Sequence, residues 1–395
     1  MRIATITFQQ DATNQMQQLQ SDLAKTQNDL ATGKKLHSAA DDPAAMSQVN
    51  QLNVALSASQ QYVTNGNTVS ANLTLEEQAM SDATNTMQSI RDLAVQGNDA
   101  SLTDAQRKDI ATQMSQELQD LVSIGNRQDS TGNYLFSGTA SGTQPFSQSG
   151  SAFSYAGSTT VSQVQIASNQ RISAGDSGAT VFMNIPAGNG TFTTAAGAAN
   201  TGAGVIGVGT VVNQAAWVPG TYNISFTTPS AYQVTDGAGN VVTTGTFTSG
   251  DSISFNGISV PINGTPAAGD QFTVAKAGTS SVFSTVSSLI TTLSTPGLTN
   301  AQVATQIGGS LQQIDNSISN LSNVSASVGA RINSITSSQN AAQSLQTNLT
   351  TSVSQLSDVD YAAAITQLNT EEVSLQAAQE SYASIAKLSL FNYLQ

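Results

Sequence analysis

Residues 16–30, MQQLQSDLAKTQNDL, carry an apolar seam at Met16, Leu19, Leu23, Thr26 and Leu30. Alternating steps of three and four residues keep such positions on one stripe of a slightly underwound helix. Residues 368–385, LNTEEVSLQAAQESYASI, repeat the device, with the seam read at Leu368, Glu372, Leu375, Gln379, Tyr382 and Ile385. Both seams are narrow and partly polar, and a helix of this kind draws most of its stability from a partner face. The two ends of the chain are therefore expected to bind helices, either each other or copies of the same chain.

Proline divides what lies between. One proline, Pro43, falls in the first 144 residues and none follows Pro296, so long helices are permitted on both sides; Pro145, Pro186, Pro219, Pro229, Pro261 and Pro266 mark a middle in which helix is excluded. At Asp41-Asp42-Pro43-Ala44, Asp42 suits an N-cap and Pro43 the first helical position, where a missing N–H costs nothing. A second helix should run from about Ala44 toward Gly97, with Gly66 a point of weakness. Capping-box patterns at Thr103-Asp104-Ala105-Gln106 and Thr299-Asn300-Ala301-Gln302 open two more; the last carries Ile307, Leu311, Ile314, Ile318, Leu321, Val328, Ile332 and Ile335.

The middle alternates β-branched or aromatic residues with small polar ones. Tyr222, Ile224 and Phe226 share a face, as do Ile253 and Phe255, then Ile258, Val260 and Ile262, then Phe272 and Val274. Asn256-Gly257 signals a two-residue hairpin and Asp236 to Asn240 a looser turn. The Ala- and Gly-rich stretch from Ala195 to Gly209 is expected to be a flexible connection. The fold class is thus α+β: a long antiparallel, coiled-coil-like helical bundle built from both termini, with an inserted antiparallel β domain. The expected division is 1–43 with 358–395 as terminal helical segments, 44–183 with 277–357 as the bundle and its hairpins, and 184–276 as an outer β domain.

Composition narrows the function. Only 9% of the 395 residues are charged, against roughly 25% in an average soluble protein, and the net charge is −13. Low charge favours ordered self-association, and an acidic chain without clustered Lys and Arg suits neither nucleic acid nor an anionic membrane. Cysteine is absent and histidine occurs once, at His37, so thiol chemistry and a two-histidine zinc motif are both excluded. His37 is read as a solvated surface residue. No stretch looks like a cleaved secretory signal or a membrane span. Serines abound, but with no base to activate them no enzyme is expected and no cofactor is implied. Arg331, the single charge between Asp315 and Asp358, is expected to pair with a carboxylate across the bundle or on a neighbouring subunit.

Four motifs then carry a family resemblance: Asp41-Asp42-Pro43-Ala44, the run Gly132-Asn133-Tyr134-Leu135-Phe136-Ser137-Gly138-Thr139, Val328-Gly329-Ala330-Arg331-Ile332-Asn333, and Ser389-Leu390-Phe391-Asn392-Tyr393-Leu394. In that order, with a β insert between them, they resemble the flagellin superfamily, and the Met1-Arg2-Ile3 start and the Phe-Asn-Tyr-Leu end resemble its hook-filament junction members most. The segment Ala267 to Phe272 also resembles a module of hook-associated proteins. The resemblance implies a structural role at the hook-filament junction and export without a cleaved signal. Its implied partners are copies of itself, the preceding hook-associated junction protein, flagellin, the flagellar export machinery and an export chaperone. It also implies an assembly surface built from Met16, Leu19, Leu23, Leu30, Arg331, Leu368, Leu375, Tyr382, Ile385, Leu390 and Phe391. Two other readings stay open: a filament-forming flagellin, set apart by its last residues, and a secreted adhesin, which would need an aromatic groove made from Trp217, Tyr222 and Tyr232.

Overall fold

The computed structural model describes residues 2–391, and side chains within 6–384. Six α-helices frame the chain: α1 (Arg2–Thr32), α2 (Pro43–Gly97), α3 (Asp104–Gly125), α4 (Val282–Ser294), α5 (Asn300–Ser357) and α6 (Tyr361–Phe391). The expected starts are made as read. Asp42 Oδ1 accepts the amides of Ala44 and Ala45 at 3.0 and 2.9 Å. Thr103 with Gln106 and Thr299 with Gln302 form reciprocal capping boxes. Gly66 does not break α2; it is buried inside a continuous helix, where neighbouring packing outweighs its poor propensity. The sequence reading missed α4 altogether. Its cap is a box of two serines, Ser281 and Ser284, and its apolar positions Val282, Phe283, Val286, Leu289 and Leu293 face the core.

The chain forms two compact units, residues 65–337 and residues 1–64 with 338–395. In the first, α2 buries Val69, Leu73, Met80, Ala83, Met87, Ile90 and Ala94, and α5 buries a seven-residue repeat, Ile307, Ile314, Leu321, Val328 and Ile335. The hairpins β1 (Phe146–Ser149) with β2 (Ala152–Tyr155) and β3 (Gln163–Ala167) with β4 (Gln170–Ser173) close over these helices. Phe146, Phe153, Phe182 and Phe283 stack or meet edge to face with centroids 4.9–5.6 Å apart, so the stretch from Thr139 to Phe182 shares the helices' core.

The β domain has its own, separate core. After β5 (Ile185–Pro186) come β6 (Phe192–Ala196), β7 (Val205–Ile206), β8 (Thr210–Val211), β9 (Thr221–Thr228), β10 (Ala231–Asp236), β11 (Val241–Thr246), β12 (Ser252–Phe255), β13 (Ile258–Asn263), β14 (Gln271–Lys276) and β15 (Thr279–Ser280). One sheet runs β11-β10-β9-β14-β6 and a second runs β12-β13-β7 with β8 beside β13, all antiparallel. The residues read as inward-facing, from Tyr222 to Val274, are all buried between them. Asn256 and Gly257 turn β12 into β13 with φ of 43° and 76°, the left-handed pair a type I′ turn requires. The β5–β15 pair leads into and out of this domain.

The stretch from Ala195 to Gly209 corrects the expectation of a flexible connection. It includes β7 and is pinned by Asp270, 2% exposed, whose carboxylate accepts the amides of Thr201, Gly202 and Ala267 at 2.9, 3.2 and 2.9 Å. Asn200 adds a two-way bond to the backbone of Gln271, and Gln302 of α5 donates to Ala198 and Asn200 carbonyls. Glycine serves close approach here: a Cβ on Gly202 would lie 2.3 Å from the Ala267 nitrogen.

Candidate assembly surface

Residues 1–64 and 338–395 present the two terminal seams to each other, for α1 packs along α6. A pair of backbone hydrogen bonds fixes their start: Lys35 N–H to the Ser357 carbonyl at 2.8 Å and Val359 N–H to the Gly33 carbonyl at 3.0 Å. Gly33 holds a φ of 73° at this cross-tie, under the Tyr361 hydroxyl. Asp360 caps α6 through the amides of Ala362 and Ala363 as Asp42 caps α2. Beside it, the Ser38 and His37 amides hold the Asp41 carboxyl down at about 2. His37 is an exposed surface residue, as read, and its Nε2 lies 2.8 Å from Asp29 Oδ1, an ion pair whenever the ring is protonated.

Met16, Leu19, Leu23 and Leu30 are half-buried and Thr26 is buried, as their spacing requires. On α6, Leu368, Leu375 and Tyr382 are half-buried, but Glu372 and Gln379 are exposed and Glu371 and Ala378 take their seam positions. The stripe is Ala364, Leu368, Glu371, Leu375, Ala378 and Tyr382, because the two alanines let the helices approach and the other phase would bury Gln379 instead. Glu371 Oε1 accepts from Gln367, while its Oε2 is buried with no hydrogen-bond partner, which weakens the pair. Ile6, Phe8, Ile365 and Val373 remain exposed, Val373 at 68%. The predicted contact residues Ile385, Leu390 and Phe391 lie outside the described side chains.

Arg331 is placed elsewhere, in the 65–337 unit. It pairs with Asp176 in the turn after β4, and its Nη1 donates to the Gly175 and Ser173 carbonyls at 3.1 and 3.4 Å. Within the chain the partner is thus a loop that covers α5 rather than a facing helix. The same cluster contains a residue the sequence reading missed: Glu76 of α2, whose Oε1 accepts the Asp176 amide at 3.0 Å. Extending the three-four spacing backward from Ala94 through Met80 lands on Glu76, so the signal was present.

The proposed aromatic groove does not form. Trp217 packs on Phe192 and Tyr222; Tyr222 is buried with its hydroxyl bonded to the Val218 carbonyl at 2.7 Å, and Tyr232 lies against Phe226. Among the described residues no three His, Asp or Glu side chains could hold a metal ion, and no helix is long and apolar enough to cross a membrane.

The family models for the bacterial flagellin N-terminal and C-terminal helical regions match residues 3–141 and 311–394, and that for the D2-like domain of flagellar hook-associated protein 1 matches residues 195–276. Flagellar hook-associated protein 3 of Escherichia coli is 22% identical over 395 residues, 99% of each chain. Its namesake in Salmonella typhimurium is 28% identical over 185 residues, which are 47% of this chain and 58% of that one. The crystal structure of FlgL from Xanthomonas campestris is 33% identical and superposes with a TM-score of 0.72 over 77% of this chain and 99% of that one. The flagellar junction protein FlgL of Legionella pneumophila is 28% identical, with a TM-score of 0.72 over 79% of this chain and all of that one. With helices from both ends, a bundle core and an inserted antiparallel β domain in common with these proteins, the chain belongs to the flagellin family as one of its FlgL-type hook-associated members, a structural component of the bacterial flagellum.

Proposed function

We propose that this protein forms the layer that joins the hook-associated region to the flagellin filament. Segments 1–43 and 358–395 provide the assembly surface, 44–183 with 277–357 the bundle, and 184–276 an outward β domain. Copies of itself, the preceding hook-associated junction protein and flagellin are its partners in that layer. The subunit is not an enzyme, binds neither nucleic acid nor membrane, and leaves through the flagellar export machinery, with an export chaperone and without a cleaved signal peptide.

The observation that carries this reading is the terminal pair. Its seams are only half covered by each other, its flanks expose Ile6, Phe8, Ile365 and Val373, and further helices of the same kind would complete its burial. Met16, Leu19, Leu23, Leu30, Leu368, Leu375 and Tyr382, with Ile385, Leu390 and Phe391, supply that contact; Arg331 acts indirectly, by holding its own subunit in shape. Immunogold electron microscopy of intact flagella, with an antibody against residues 222–274, tests the role. A band of gold where hook meets filament is expected. Gold along the whole filament would make the protein a filament subunit, and gold absent from the flagellum would defeat both readings. Deleting Ser389 to Gln395 should leave a soluble monomer that is not incorporated; normal incorporation would remove the terminal segments from the mechanism.

A further inference from the structure

Glu76 occupies a core-stripe position of α2 between the apolar Leu73 and Met80, and it is 1% exposed. Its Oε1 takes the Asp176 amide, and the Asp176 carboxylate pairs with Arg331 of α5, which also holds the Ser173 and Gly175 carbonyls. Three separate parts of the chain therefore meet around two carboxyl groups and one guanidinium. One positive charge cannot neutralise two negative ones. A cavity of about 170 Å³, lined in part by Asn72, Asp129 and Tyr134, adjoins the cluster. Asp129 brings a further negative charge, its own carboxylate being bound to the Thr131 and Asn133 amides. Burial above all, then repulsion from Asp176, outweigh the attraction of Arg331 and raise the Glu76 carboxyl from 4.5 to about 8.

We propose that the turn from Ser173 to Asp176 is a proton-dependent clamp: it closes across α2 and α5 while the Glu76–Asp176–Arg331 cluster keeps one carboxyl proton, and it loosens when that proton leaves. The proton is released to solvent through the cavity, and the second buried negative charge draws the turn outward until water reaches Glu76. Because the folded-state affinity for the proton is raised, the contribution of Glu76 to closure is complete below the ordinary carboxyl range. It declines as pH rises and is lost above about 8. The clamp covers one side of the helical core and is distinct from the terminal seams.

Amide hydrogen exchange of the full chain across about pH 6 to about pH 10, corrected for intrinsic base catalysis, reads the clamp directly. Protection of the Asp176 amide should fall by up to about tenfold per pH unit as the wild type approaches about pH 8 from below, and level off above it. In Glu76→Gln, which imitates the protonated acid, it should stay flat. Infrared spectroscopy should show one carboxylic-acid carbonyl at neutral pH, lost on alkaline titration and missing from Glu76→Gln. A wild type with no such band, or with protection unchanged across the range, overturns the clamp, as does a Glu76→Gln protein that loosens with pH as the wild type does. Should the variant fail to fold, the infrared titration of the wild type decides alone.

Discussion

Along α2 the positions Val69, Leu73, Glu76, Met80, Ala83, Met87, Ile90 and Ala94 are all buried; along α1 the positions Met16, Leu19, Leu23 and Leu30, set by the same three-four rhythm, stay half-exposed. The rhythm determines which side of a helix is apolar. How deeply that side is covered depends on how many neighbours stand over it. The 65–337 unit lays four helices and two hairpins around one core, tight enough that even a carboxyl group is held there. The described part of α1 has α6, whose own seam contains Glu371 and two alanines. Identical spacing thus gives a finished core in one place and an unfinished one in the other.

That contrast can be broken most forcefully at the aromatic centre of the finished core. Phe283→Ala should cost about 3–5 kcal/mol in chemical unfolding, since its ring is fully buried against Phe146, Phe153 and Phe182. Arg331→Ala comes next, at about 2–4 kcal/mol, because Glu76 and Asp176 are left facing each other without a cation; the same denaturation measurement should show a partial return in Arg331→Lys. Asp270→Ala leaves the Thr201, Gly202 and Ala267 amides unpaired and should cost about 1–3 kcal/mol, read as lost amide protection in residues 197–204 with the helical core unchanged. The double variant Leu23→Ala, Leu375→Ala should be the mildest for the isolated subunit, at about 1 kcal/mol or less per site, yet should abolish incorporation into flagella. A cost as large as that of Phe283→Ala would mean the terminal pair is already a complete core.

Local rules were the legible part. Asp42 before Pro43, Thr103 with Gln106, and Asn256 before Gly257 each act within three or four residues, so the chain states them outright. Period-two alternation placed Tyr222, Ile224 and Phe226, Ile253 to Ile262, and Phe272 with Val274 because a strand pair buries one face whole, but it left out Val234 and Phe247, which join the same core. What stayed hidden depends on distant partners. Asp270 lies about seventy residues beyond the loop it fixes, so the Ala- and Gly-rich run reads as loose when only its own composition is seen. Asp176 and Arg331 are separated by 155 positions, and nothing near either names the other. The phase of α6 was ambiguous for another reason: Glu371 and Glu372 are adjacent, and only the alanines at 364 and 378 decide which one faces α1.

The cross-tie of Gly33 and Lys35 to Ser357 and Val359 also sets an order of events. It closes a loop of more than three hundred residues, the kind of contact whose entropy is recovered last. A chain emerging from either end can complete its hairpins, its β domain and much of its aromatic core before the seam of α1 ever meets that of α6. The surface that would join subunits is thereby the latest to form, and a chain cut short anywhere before residue 357 would lack it.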